Sequence, residues 1–328
     1  MRTISFAEAT LEAMREEMRR DETVFVMGED IAKQGGIFGQ FKGLPEEFGL
    51  QRVLDTPISE AALMGSGVGA ALTGTRPVVD MHFADFITCS MDEVVNQAAK
   101  LRYMFGEQCS VPLVVRAPDG ITKSAAAQHS QSLEAWFLHT PGLEVVIPSN
   151  PADAKGLLKS AIRSDNPTLY FEHKGLFATK GEVPDDDDYL VPIGKARVAR
   201  EGDDVAIISY GIAANRALEA AKQLESDGIS AHVVDLRSIA PMDYAAIADA
   251  TARTHRMVIV HEAVRVGGAG AEIAAWVAQN CFDELDAPIV RLGAARVPMP
   301  FAPVLQEHVY PKAGEIADAA RRLVRKQL

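Results

Sequence analysis

Short apolar runs alternate with stretches of helical spacing along nearly the whole chain. That alternation restricts the fold more than any other feature. Val24-Phe25-Val26-Met27, Arg52-Val53-Leu54, Pro77-Val78-Val79-Asp80-Met81 and the runs 111–116 and 143–147 read as strands. Helices read between them. One starts after a Ser5…Glu8 capping box, one runs through 60–71, one covers 91–103, and one begins at Pro151 behind an Asn150 cap. Strands this short and apolar suit a mostly parallel sheet covered on both faces, so the expected class is α/β.

The rhythm breaks at Val183-Pro184-Asp185-Asp186-Asp187-Asp188-Tyr189. Adjacent carboxylates repel one another and proline stops regular pairing, so this stretch reads as a solvated linker. It divides the chain into domains 1–187 and 188–328. The same grammar then restarts, with strands at 205–211, 231–237, 257–262 and 288–292 and a helix over 215–226. A length of 328 residues fits about two domains in tandem.

Acidic residues (45) outnumber basic ones (33), for a formal net charge of −12. Such a surface repels phosphate backbones and anionic lipid, which argues against nucleic acid and membrane as partners. No apolar run approaches the ~18 residues of a membrane span. Arg2-Thr3-Ile4-Ser5 follows Met1 without the apolar core of a signal peptide. Cys89, Cys109 and Cys281 are widely separated and form no pair motif, so a reducing cytoplasm is expected.

Gly65-x-Gly67-x-x-Ala70 imitates a dinucleotide-binding fingerprint, but that motif needs a strand directly before it. Here Ser59 to Met64 already reads as helix, so close approach of another backbone explains the glycines better. Glu60 sits where a loop meets a helix start. It reads either as a first-turn glutamate favoured by the helix dipole or as a desolvated carboxyl holding a proton near neutrality. His129, within Gln128-His129-Ser130-Gln131-Ser132, is either a loop acid/base or a surface histidine. His82, beside Phe83 and Phe86, reads by default as a satisfied core histidine. There is no nucleophile elbow, no H-E-x-x-H and no cluster of metal ligands.

Several stretches, in order along the chain, closely resemble the β subunit of the thiamine-diphosphate-dependent E1 component of 2-oxoacid dehydrogenase complexes. They are Met27-Gly28-Glu29-Asp30, Asp55-Thr56-Pro57-Ile58-Ser59-Glu60, Asn96-Gln97-Ala98-Ala99-Lys100-Leu101-Arg102-Tyr103-Met104, Gln128-His129-Ser130-Gln131-Ser132 and Asp235-Leu236-Arg237. The resemblance implies a pyrimidine-binding first domain and a transketolase-C-like α/β second domain. It implies that Glu60 bonds the ring nitrogen N1′ of thiamine diphosphate, favouring the imino tautomer that takes a proton from the thiazolium. His129 matches the active-site histidine, and Ile58 and Phe86 match positions beside the pyrimidine ring.

Where branched-chain members often read Q-F-A-D-Y, this chain has His82-Phe83-Ala84-Asp85-Phe86, which places His82 near the cofactor. Diphosphate and Mg²⁺ are held in this family by an α subunit through a G-D-G…N motif that this chain lacks. The resemblance therefore implies an α₂β₂ heterotetramer, inactive as the lone chain, that serves an E2 lipoyl acyltransferase. A structural K⁺ drawing on Leu113, Ala161, Ser164 and Asn166 is a further implication. Asp85-Phe86-Ile87 and the run 297–305 are most similar to acetoin- and pyruvate-type members. The alternatives are a branched-chain 2-oxoacid dehydrogenase subunit or a non-catalytic scaffold chain.

Overall fold

The computed structural model describes residues 1–327, so Leu328, the last residue of the expected second domain, lies outside them. The chain forms two compact units. The first comprises Met1–Asp119 and Trp136–Ile193; the second comprises Gly120–Ala135 and the chain from Gly194 onward.

In the first unit the strands run in the order Glu144–Val146, Thr168–His173, Val114–Asp119, Arg76–Asp80, Val24–Gly28 and Val53–Asp55. Every neighbouring pair among them is parallel. The register sets Gly28 level with both Asp55 and Asp80, and Asp119 level with His173. The carboxyl ends of these strands thus share one edge, where open α/β sheets bind their ligands.

The helix Phe6–Arg20 starts on the expected capping box, with Glu8 N–H donating to Ser5 Oγ and Ser5 N–H donating to the Glu8 carboxylate. Its apolar face, including Met14 and Met18, packs on Leu157, Leu158 and Ile162 of the helix Pro151–Arg163. A charged seam borders this contact. Lys155 Nζ donates to Glu16 at 2.6 Å, Lys159 Nζ to Glu16 at 2.7 Å, and Arg163 to Glu17 at 2.8 Å. Buried ammonium groups are tolerable here because each meets a carboxylate.

The aspartate run is less free than its composition suggests. Asp188 pairs with Arg163 at 2.9 Å, the Asp187 carbonyl accepts from Lys159, and Asp185 lies 3.4 Å from Arg2. Val191 then enters the core, with Tyr189 and Ile193 packed against it. The observed division accordingly falls at Ile193/Gly194, where the sequence places it at 187/188.

Two further features differ from the sequence expectation. The stretch read as one helix over 91–103 is a π-helical turn, Asp92–Ala98, followed by the α-helix Ala99–Met104. The Asp92 carboxylate accepts from Asn96 and from Gln97, four and five residues on, as a wider turn permits. The strand Thr168–His173 is not among those named above, although Leu169-Tyr170-Phe171 is an apolar run; it also carries Glu172. That carboxylate is buried because Arg116, on the adjacent strand, holds it bidentately at 2.5 and 2.9 Å.

The second unit holds the strands Val290–Ala294, Met257–Val264, Val205–Ser209, Ala231–Asp235 and Arg197–Arg200, in that order. All pair in parallel except the last, which is antiparallel to its neighbour. Ile212–Glu225 packs with Ala313–Val324, and Tyr244–Thr254 with Ala269–Asn280. Among the described residues no helix is long and apolar enough to cross a membrane.

Candidate active site

The loops leaving the carboxyl edge of the first sheet are braced against one another. Thr56 N–H donates to Gly28 O at 2.9 Å. Asp55 accepts Ala32 N–H at 2.7 Å and Lys33 N–H at 3.3 Å. These bonds bring the segment after Gly28 beside the segment that ends in Glu60.

Glu60 is the first residue of the helix Glu60–Leu72. Ser59 precedes it without capping through its side chain, so the first-turn amides keep their donor capacity. Glu60 is partly exposed, and Ile58 beside it is 80% exposed. Glu29 is buried on the neighbouring loop. Burial raises its proton affinity, and the negative charges of Glu60 and Asp30 raise it further. Two carboxyls therefore share this corner, of which the sequence singles out only Glu60. The signal for Glu29 was its place directly after the strand Val24–Gly28.

His82 follows the strand Arg76–Asp80 in a left-handed conformation, φ 61°. Asp80 Oδ2 accepts its N–H at 3.2 Å, which steadies a backbone state few residues adopt. Asp80 itself is fully buried, and its pKa is pushed up to about 7. Desolvation is the main cause; the Arg116 cation opposes it and Glu172 adds to it. Gly28 has no room for a side chain because a Cβ there would press on the Asp80 Cβ and carbonyl.

Phe86 is held edge-on by Phe83, with ring centroids 5.7 Å apart. Phe83 in turn meets Phe38, within Gly35-Gly36-Ile37-Phe38-Gly39, at 5.9 Å, and Phe38 meets Phe177 at 5.0 Å. Lys174 lies 4.8 Å over the Phe83 ring. An aromatic ladder thus orients the ring expected beside the cofactor.

Ile58, Glu60, His82 and Phe86 all stand in segments that follow the carboxyl edge of the first sheet, Glu60 at the start of a helix and Phe86 within the short helix Ala84–Ser90. His129 does not: it is half-buried on the segment Gly120–Ala135, which clusters with the second unit.

The residues expected around potassium lie near the end of the helix Pro151–Arg163. Ala161 O accepts Ser164 N–H at 3.2 Å, and Ser164 O accepts from Arg76 at 2.9 Å. Asn166 Oδ1 accepts from Arg102 at 2.6 Å, and Leu113 O accepts Thr168 N–H at 2.8 Å. Among the described residues no cluster of three or more His, Cys, Asp or Glu side chains is placed to hold a metal ion.

Residues 2–180 match the model of the transketolase pyrimidine binding domain, and residues 194–316 match that of the transketolase C-terminal domain. A solved split-gene transketolase, described as an inactive β4 tetramer, shares the fold with a TM-score of 0.81 over 98% of both chains, at 24% identity. This is a two-domain protein of transketolase type.

The chain is 48% identical to the 2-oxoisovalerate dehydrogenase subunit β of Bacillus subtilis (strain 168), covering 98% of this chain and 99% of the relative. It is 47% identical to the acetoin:2,6-dichlorophenolindophenol oxidoreductase subunit β of the same organism, over 98% of each. It is 45% identical to the pyruvate dehydrogenase E1 component subunit β of Rhizobium meliloti (strain 1021), covering 99% of this chain and 71% of that one. The chain belongs to the family of E1 β subunits of the 2-oxoacid and acetoin dehydrogenases.

Proposed function

We propose that the chain is the β half of a thiamine-diphosphate-dependent E1 enzyme. It cleaves a small 2-oxoacid or acetoin and hands the acyl fragment to the lipoyl group of an E2 partner. The observation that carries this reading is Glu60, at a helix start on the carboxyl edge of the sheet, beside the buried Glu29.

The residues present suit the aminopyrimidine end of the cofactor. Glu60 supplies a carboxyl for a ring nitrogen. Phe86 supplies an oriented aromatic face and Ile58 an apolar one, and the exposure of Ile58 fits a pocket whose other wall is a different chain. When bound, thiamine diphosphate supplies a carbanion-stabilising heterocycle. Glu60 holds and exchanges the proton at the ring nitrogen. Glu29 adds a second carboxyl beside it, whose proton affinity is raised by burial and by the Glu60 charge. His129 moves protons and assists transfer to the lipoyl group. Mg²⁺ and the diphosphate belong to the α subunit, and the assembly is α₂β₂.

The thiols Cys89, Cys109 and Cys281 are free, which suits a cytoplasmic setting. A potassium ion would use the second lone pairs of the Leu113, Ala161 and Ser164 carbonyls, with Asn166 alongside. Replacing K⁺ by Na⁺ should then lower the melting temperature, and identical melts would remove the ion from the reading.

Identities of 48%, 47% and 45% to branched-chain, acetoin and pyruvate members do not choose a substrate. The His82 and Phe86 residues favour pyruvate or acetoin over a branched-chain 2-oxoacid. Co-expression with an α-type chain, then turnover of pyruvate, acetoin and 2-oxoisovalerate with an artificial acceptor, settles substrate and partner together. Glu60→Gln in that assembly should fold and assemble normally yet lose at least ~100-fold in turnover. Wild-type turnover in this variant would refute the assignment, and turnover by the β chain alone would refute the divided site.

A further inference from the structure

The segment that carries His129 is built in an unusual way. Gly120 N–H donates to Gln131 O at 3.1 Å, which closes residues 120–131 into a compact loop. Inside it, Ser124 and Ala126 both have φ near 58°, a left-handed conformation that side chains rarely adopt. Two such residues within three positions persist only where surrounding groups over-determine them.

Those groups come from distant parts of the second unit. The side-chain amide of Gln306, itself buried, grips the backbone that leads into the first strained residue. Its Oε1 accepts Ser124 N–H at 3.4 Å, and its Nε2 donates to Thr122 O at 3.1 Å. Glu262, at the carboxyl end of a buried strand, accepts Ile121 N–H at 2.8 Å. Glu262 is fixed in turn by Arg216 at 2.7 Å, whose guanidinium lies 4.3 Å over the Tyr310 ring. Just beyond the loop, Tyr210 O–H donates to the fully buried Glu134 at 2.8 Å. Buried polar groups therefore bond the backbone of one loop at residues 121, 122 and 124, leading into its strained residues.

We propose that Gln306 and Glu262 are positioning residues: they hold the strained 120–131 loop in one conformation and thereby place His129 for acyl transfer. The second half of this statement rests on the reading of His129 given above. Neither residue needs to touch substrate. Each removes loop states in which the imidazole points elsewhere.

The test uses the assembled α₂β₂ enzyme. Gln306→Met keeps the side-chain volume and removes both loop bonds; Glu262→Gln keeps an acceptor for Ile121 N–H and loses the charge that Arg216 meets. Amide hydrogen exchange is followed by mass spectrometry over 121–131, with the strand Val205–Ser209 as the folding control. Exchange in the loop should quicken at least tenfold in Gln306→Met and less in Glu262→Gln, with the strand unchanged. Turnover to a lipoyl domain should fall about tenfold in kcat with little change in substrate KM, and His129→Asn combined with Gln306→Met should lose no more than His129→Asn alone.

Unchanged loop exchange overturns the proposal, and so does a fully additive loss in the double variant. Full activity of His129→Asn would instead fell the reading of His129. The two failures are separable because loop exchange does not depend on turnover.

Discussion

Asp80 shows how one buried carboxyl can make the stability of a fold depend on pH. Its pKa in the folded chain is about 7, against an ordinary value near 4 when unfolded. Below pH ~4 both states carry the proton, and between there and pH ~7 only the folded state keeps it. The stability this proton confers is therefore fully present in acid and is lost as the pH rises through 7. Asp80→Asn removes the titration while keeping an acceptor for His82 N–H. Denaturant unfolding at pH 5 and pH 8 should show wild type losing roughly 2 kcal/mol more than the variant between the two values; parallel losses would mean that Asp80 is ionised in the folded chain. Glu60 and His129 were visible in the sequence because their flanking blocks are distinctive. Asp80 was not, and Glu29 stood in a matching block without being singled out, because their burial depends on the depth at which a strand ends.

At the level of elements, the helix Glu60–Leu72 sets two glycines to different uses. A Cβ at Gly67 would collide with the Val79 side chain and crowd Leu113, whereas one at Gly69 would meet nothing within 4 Å. Gly67→Ala should therefore destabilise the chain by about 1–3 kcal/mol through overpacking. Gly69→Ala should stabilise it by up to ~1 kcal/mol through helix propensity. Thermal melts of the two variants of the β chain alone should move in opposite directions, and movement in the same direction would contradict this packing. The small-residue helix was legible as soon as the dinucleotide motif failed for want of a preceding strand, but what approaches Gly67 is the Val79 side chain and not the backbone expected from the sequence. The π-turn Asp92–Ala98 was not legible, since periodicity sees only an apolar stripe. The strand Thr168–His173 offered the run Leu169-Tyr170-Phe171 and was passed over; what the sequence could not show is that its Glu172 is buried against Arg116 on another strand.

For the whole molecule, two α/β units in tandem could be read from the alternation of strands and helices and its restart after the aspartates. The place where the units divide was harder to see. The aspartates look like a linker by charge, yet Asp188 and the Asp187 carbonyl are tied to basic side chains of the first unit, and Val191 continues into its core. That Gly120–Ala135 clusters with the second unit was not legible at all, because its partners Tyr210, Glu262 and Gln306 are scattered far downstream. This has a practical consequence for protein engineering. A hybrid made by splicing one family member's front half to another's back half at residue 193 would divorce the histidine loop from the groups that hold it. Such hybrids should keep 120–135 and the residues at 210, 262 and 306 from a single parent.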